Sequence, residues 1–177
     1  MWKSDGSEAG TTLIKDIIPS DDIYQYQYPY ELTPIHNTLY FAALDGIHGL
    51  ELWKSDGTES GTFLVKDISP GFNDYNGQPL SSYPQFLTNA SGVLFFFAED
   101  GVHSFALWKS DGTGAGTVMV ADIYKGLDEY EYLASSEPSW LTDVNGTLFF
   151  IANEGEHGRE LWAYPYIVSR QYLPMLL

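Results

Sequence analysis

Cysteine is absent from the 177 residues. No disulfide holds the fold, and thiols say nothing of its redox compartment. Basic residues are scarce: 8 lysines and arginines stand against 24 aspartates and glutamates, a formal net charge of −16. That sign excludes nucleic acid and anionic membrane surfaces as electrostatic partners, since both are polyanions. A cation, a basic surface or a neutral ligand remains. No apolar run reaches the roughly 18 residues of a membrane helix, so no membrane insertion is expected. The opening Met1-Trp2-Lys3-Ser4-Asp5 lacks the basic head and apolar middle of a signal peptide. No window carries the 3.6-residue apolar period of an amphipathic helix. Catalytic signatures are missing too: no His-Glu-x-x-His, no Gly-x-Ser-x-Gly, no phosphate loop and no cysteine nucleophile.

What is present is a repeat. Trp2, Trp53, Trp108 and Trp162 are spaced by 51, 55 and 54 residues. Asp-Gly follows at Asp5-Gly6, Asp56-Gly57 and Asp111-Gly112, then Gly-Thr at Gly10-Thr11, Gly61-Thr62 and Gly116-Thr117, then Asp-Ile at Asp16, Asp67 and Asp122. The other half of the unit recurs as PYELT, PQFLT and PSWLT, followed by the apolar runs LYFAA, LFFFA and LFFIA. Each run leads into a turn (LDGIHG, EDGVHS, NEGEHG) that returns the chain to the next Leu-Trp. Self-similarity at this period marks an array of supersecondary units.

Each unit holds four strand candidates joined by tight turns. Asn145-Gly146 and Ser91-Gly92 sit where a two-residue hairpin needs φ > 0 at both central positions. The strands are apolar on both faces, unlike a sheet with one wet face, so both faces must be covered. The sequence therefore predicts an all-β protein of tandem four-stranded antiparallel blades, β-propeller-like. The expected repeat domain covers 1–166, with complete blades at about 29–68 and 84–123, partial blades at 1–18 and 138–166, and a tail at 167–177. The N-terminus falls inside a repeat motif, which reads as a fragment or an internal start in a longer parent. Three blades fall below the usual minimum of about four, so self-association or neighbouring repeats are expected to complete the array.

The stretch ELWKSDGTESGTFLVKDISPG, with DGIHGLELW overlapping its start, resembles the ELWxxDGT repeat family of bacterial secreted and surface proteins. The resemblance covers nearly the whole chain to Trp162. It implies an extracellular or cell-surface location and a repeat-built chain, and it supplies no activity. The third copy departs from the pattern: Ala106 replaces Glu, Ala121 replaces Lys, and Tyr124-Lys125-Gly126 stands for Ser-Pro-Gly.

Candidate sites divide into scaffold and surface. Asp5, Asp56 and Asp111 are expected to bond backbone N–H groups two residues on. The alternative at Asp56 and Asp111 is calcium held by turn carboxylates and carbonyls, a cation that wants six to eight oxygens. Asp16, Asp67 and Asp122 lie inside apolar strands and need partners, expected to be backbone N–H groups or the indole N–H of a repeated tryptophan. Trp2, Trp53, Trp108 and Trp162 are expected to pack between blades. His48, His103 and His157 share one turn position; they either make one local hydrogen bond each or converge on a metal. No other cofactor is expected. Tyr24, Tyr26, Tyr28 and Tyr30 alternate along IYQYQYPY, and Tyr130 and Tyr132 occupy the matching later loop. Alternation puts them on one side of an extended segment, as a surface for a protein or glycan ligand or as loop packing.

These observations favour a non-enzymatic structural or interaction module that presents variable loops. Two alternatives stand beside it. One is a carbohydrate-active propeller, either a lectin or a sialidase-like hydrolase. The other is a self-assembling filament or surface-layer subunit.

Overall fold

The computed structural model of the chain describes residues 1–18, 28–127 and 133–166. These residues form thirteen strands and no helix, so none of them crosses a membrane as a helix. Strands β1 (Trp2–Lys3) and β2 (Thr12–Leu13) make an N-terminal hairpin. The first sheet is an antiparallel meander of β3 (Tyr30–Ile35), β4 (Thr38–Leu44), β5 (Leu50–Ser55) and β6 (Phe63–Lys66). The second repeats it with β7 (Gln85–Ala90), β8 (Val93–Ala98), β9 (Ala106–Ser110) and β10 (Val118–Ala121). The third has three strands, β11 (Ser139–Val144), β12 (Thr147–Asn153) and β13 (Arg159–Pro165). The sheets do not close into a ring.

The turn chemistry expected of a tight hairpin is met at both Gly-containing sites. Ser91 and Gly92 have φ of 53° and 90°, and Asn145 and Gly146 have 50° and 88°. The first strand of every sheet carries a bulge at one repeat position, with register shifts between Tyr30 and Thr33, Gln85 and Thr88, and Ser139 and Thr142. The residue inside each bulge is left-handed although it is not glycine: Glu31 at 58°, Phe86 at 56° and Trp140 at 59°. Bulges bend a strand and re-aim its side chains. Here they let the first strands of successive sheets approach. Thr33 Oγ1 donates to the Leu87 carbonyl at 2.9 Å, and Thr88 Oγ1 to the Leu141 carbonyl at 3.1 Å. Glu31 Oε2 accepts the Leu87 N–H at 3.0 Å.

The core lies between the sheets and is not confined to one of them. One cluster joins Ile35, Tyr40, Leu52, Val65 and Ile68 of the first sheet and its exit to Leu87, Leu94, Phe96, Ala98, Ala106 and Trp108 of the second. Another joins Phe95, Phe97 and Leu107 to Leu141, Leu148, Phe150 and Ala152 of the third. A third packs Ile17 beside Phe41, Ala43 and Trp53. Both faces of β4 and β8 are thereby covered, which explains their lack of alternation. Each fully buried Phe or Leu contributes about 1.5–3 kcal/mol, so the junctions are the main source of stability.

Lysines tie the junctions. Lys15 Nζ donates to the Thr62 carbonyl at 2.7 Å and lies 6.0 Å from the Trp53 ring centroid. Lys66 repeats this one unit later, 2.8 Å from the Thr117 carbonyl and 5.7 Å from Trp108. Lys54 Nζ donates to the Gly112 carbonyl at 2.7 Å. A Cβ on Gly112 would come within 2.3 Å of the Tyr40 hydroxyl, so only glycine lets the first sheet close on that turn.

Candidate functional site

Three polar constellations stand out, and two of them belong to the scaffold. The first is the Ser-Asp-Gly turn. Asp56 Oδ1 accepts the Thr58 N–H at 2.9 Å and the Thr58 hydroxyl at 2.7 Å. Ser55 Oγ and Thr62 Oγ1 bond at 2.7 Å across the hairpin, and Thr62 Oγ1 donates to the Thr58 carbonyl. The same bonds recur around Asp5 with Ser7 and around Asp111 with Thr113. The hydroxyl bonds, with the backbone bonds beside them, hold all three carboxyls below the usual carboxylate range. A Cβ on Gly61 would lie 2.0 Å from the Asp56 carboxylate, and Gly10 and Gly116 are in the same position against Asp5 and Asp111. That contact is why a glycine stands five residues after the aspartate in each of these three turns. In each copy Oδ1 of the aspartate is taken up by these local bonds.

The histidines do not converge. His48 Nδ1 pairs with Asp45 Oδ2 at 2.7 Å, His103 Nδ1 with Asp100 Oδ2 at 3.0 Å, and His157 Nδ1 with Glu154 Oε1. The hydrogen bond that each ring donates to its carboxylate raises His48 beside Asp45 and His103 beside Asp100, with smaller contributions from Asp67 and Asp122 respectively. Among the described residues no three His, Asp or Glu side chains gather to hold a metal ion.

The second constellation is a buried carboxylate that sequence reasoning missed. Glu51, fully buried, accepts the backbone N–H groups of Ile68 at 3.0 Å, Ser69 at 3.4 Å and Ser82 at 3.0 Å, and the Ser82 hydroxyl at 2.5 Å. It knots the end of the first sheet to the segment that enters the second. Burial pushes its carboxyl up to about 7 against the pull of those donors. The strand aspartates do not play this part. Asp67 Oδ1 is buried with no hydrogen-bond partner, and so is Trp53 Nε1, which corrects the expected Asp–Trp fastening there. Trp108 and Trp162 Nε1 instead donate to the Ala98 and Ala152 carbonyls, at 3.2 and 3.0 Å. Asp16 is exposed and Asp122 half-buried. Its donors are mostly backbone N–H groups, which leave no mark in the sequence, and the one side-chain donor, Ser82, has its repeat counterpart Ser136 retained where Ala106 replaces the Glu.

The third constellation is a cavity of about 310 Å³ at the end of the first junction. The loop after the first sheet closes on itself through a Phe72–Pro79 bridge, Asn73 N–H to the Gln78 carbonyl at 2.7 Å and Leu80 N–H to the Gly71 carbonyl at 3.0 Å. Its far end docks on the sheet, where Ser81 Oγ accepts the Leu50 N–H at 2.9 Å. Leu44, Leu50 and Leu80 supply apolar wall; Asn73, Asn76 and Glu99 are among the polar groups. Asn73 and Asn76 spend Oδ1 on backbone N–H groups two residues on. Burial raises the Glu99 carboxyl, which has no hydrogen-bond partner among the described residues.

The tyrosine surface is only partly placed. Tyr24, Tyr26, Tyr130 and Tyr132 lie outside the described residues. Tyr28 is exposed, whereas Tyr30 is half-buried against Ala42, Leu44 and Leu50, and burial, with Glu31 beside it, pushes its hydroxyl up to about 12. Trp53 and Trp108 are buried, Trp162 is half-buried, and Trp2 is exposed. No family model matches the chain, and no curated protein or solved structure matches it either.

Proposed function

We propose that the chain is a non-enzymatic, propeller-like repeat scaffold whose inter-sheet loops are its binding elements. The observation that carries this reading is the division of labour in the turns. The Ser-Asp-Gly network is copied three times and turns its hydroxyls and Asp Oδ1 inward on itself, while the segments between sheets differ in sequence and the one between the first and second sheets frames a cavity. Rigid scaffolds with variable loops are where binding usually resides. A catalytic site needs different residues in different roles at one place, and the carboxylates of the Ser-Asp-Gly turns are duplicated in equivalent roles. The resemblance to ELWxxDGT repeats supports an extracellular or surface setting.

The test is a combined glycan and protein array. Wild type is compared with a chain whose residues 72–79 are replaced by Gly and Ser. Binding that disappears in the loop variant, at unchanged melting temperature, is the expected result. No binding above background, or hydrolysis of a chromogenic glycoside abolished by one carboxylate substitution, would overturn the reading.

Self-assembly is a second reading with its own observation. Leu161 of β13 is 70% exposed where its counterparts Leu52 and Leu107 are fully buried. The face it shares carries Val144, and Trp140 and Trp2 are exposed as well.

A further inference from the structure

Glu99 is not explained by the scaffold. The repeat puts Leu44 and Asn153 at its position, as the last residues of β4 and β12, so the fold has no need of a carboxylate there. Placing a carboxyl half in the protein without a partner is unfavourable unless something pairs with it. The groups around it are not used up either. The Asn73 and Asn76 amide nitrogens and the Ser69 hydroxyl, all on the wall of the same cavity, make no hydrogen bond among the described residues. Leu44, Leu50 and Leu80 provide an apolar wall. The cavity thus offers one strong acceptor, two amide donors, a hydroxyl and an apolar wall in about 310 Å³. This lies at the small end of ligand pockets, roughly 300–1,000 Å³.

The chemistry that matches is a single polyhydroxylated ring. Its hydroxyls donate to a carboxylate, its ring and hydroxyl oxygens accept from amides, and its C–H face packs on leucine. A divalent cation does not match, because one carboxylate leaves most of six to eight oxygen positions unfilled. We infer that this cavity between the first and second sheets binds one monosaccharide unit, with Glu99 accepting from its hydroxyls and Asn73 and Asn76 donating to its oxygens. The inference rests on the reading of the loops as binding elements and names the ligand class for one of them.

Saturation-transfer NMR and calorimetry with free glucose, galactose, mannose and N-acetylglucosamine test it, on wild type, Glu99→Leu and the double variant Asn73→Ala/Asn76→Ala. Glu99→Leu installs the residue the repeat already uses at Leu44, so it is expected to fold with equal or higher melting temperature. Wild type is expected to bind at least one sugar with a dissociation constant of about 1 mM. Either variant is expected to weaken that binding at least tenfold. If Glu99→Leu fails to fold, the asparagine variant carries the same test. A wild type that binds none of the four sugars, or variants that bind as wild type does, overturn the assignment. If the array binding persists in Glu99→Leu and no monosaccharide binds, this cavity is wrong as the site and the loop-binding reading survives. If nothing binds in either experiment, both fall.

Discussion

The junction between the first and second sheets and the one between the second and third use the same repeat positions, but are held differently. At the first, Lys66 spans from the fourth strand to the Thr117 carbonyl over the face of Trp108. At the second, Ala121 stands at the lysine position, and no Gly-Thr turn follows Trp162 to receive a lysine. Rings take over there. Phe97 meets Phe150 edge-on at 5.4 Å, Phe150 stacks on Trp162 at 6.4 Å, and Phe95 meets Tyr166 at 5.2 Å. The Tyr166 hydroxyl bonds Ser91 Oγ at 3.1 Å and Asp143 Oδ1 at 2.8 Å. Donor and receptor thus disappear together, while apolar burial is common to both junctions. Burial is the general mechanism; the lysine is a local refinement that depends on its acceptor.

The largest expected effect removes burial. Trp108→Ala is expected to cost about 3–5 kcal/mol in denaturant unfolding, because it leaves a cavity in a junction where the ring is 6% exposed. Leu107→Ala at the second junction is expected to cost about 2–5 kcal/mol, since Leu107 is fully buried. Comparable losses at the two sites would confirm burial as the shared mechanism. A loss at Trp108 several-fold larger than at Leu107 would make the lysine–tryptophan pair the principal fastening.

The next effect is a pH dependence peculiar to the first junction. The folded state raises Glu51 from 4.5 to about 7. A raised folded value means the native state holds the proton more tightly than the unfolded chain. The stabilisation is therefore fully present below about pH 4.5 and is lost as pH rises through about 7. The shift corresponds to on the order of 3 kcal/mol. His48 and His103, also raised, act in the same direction on a smaller scale, being more exposed. Wild type is expected to melt progressively lower from pH 5 to pH 8. Glu51→Gln should flatten that slope while melting below wild type at pH 5. Equal slopes for the two proteins would remove Glu51 from the account.

Much of this scaffold could be read in the sequence, because repetition multiplies weak signals. Trp53 or Asp56 alone says little; the same residues three times, at spacings of 51 and 55, fix the strand order, the hairpin after Leu-Trp and the sheet boundaries. The turn network around Asp5, Asp56 and Asp111 followed from local chemistry, because its partners lie within seven residues of one another. What failed were long-range partners. Asp67 looked like the buried fastener because it follows an apolar strand, yet the donors it would need sit on Glu51, 16 residues earlier in the chain. The cavity was illegible for the same reason. Glu99 joins the Asn73 loop only once that loop closes through Phe72 and Pro79 and the second sheet docks beside it.

A smaller effect separates the lysine from the burial beneath it. Lys66→Met keeps most of the apolar stem and removes the charge. It is expected to cost about 1–2 kcal/mol, from one charge-assisted hydrogen bond and one cation–π contact. Ala121→Lys is the converse and is expected to change stability by no more than about 0.5 kcal/mol, since the third sheet offers no carbonyl at the receiving turn. A clear gain from Ala121→Lys would show that the ring contact alone, here with Trp162, suffices.

The smallest expected effect is at the outer face of the third sheet. Leu161 is 70% exposed, so Leu161→Ala removes little buried area and should cost at most about 0.5 kcal/mol in an isolated chain. Trp2→Ala, at a ring 66% exposed, should behave likewise. The fully buried counterparts Leu52 and Leu107 give the contrasting scale of about 2–5 kcal/mol. The measurement is made by thermal unfolding at several protein concentrations alongside light scattering after gel filtration, with and without calcium. Small, concentration-independent losses would mean that this face stays open in solution, and that the stabilising junctions all lie within the chain. A loss at Leu161 approaching that at Leu107, growing with concentration in a species heavier than one chain, would mean that another copy covers the face. Leu161 would then belong to a further instance of the same junction, made between chains, and the choice between lysine and aromatic fastening could be asked of it in turn.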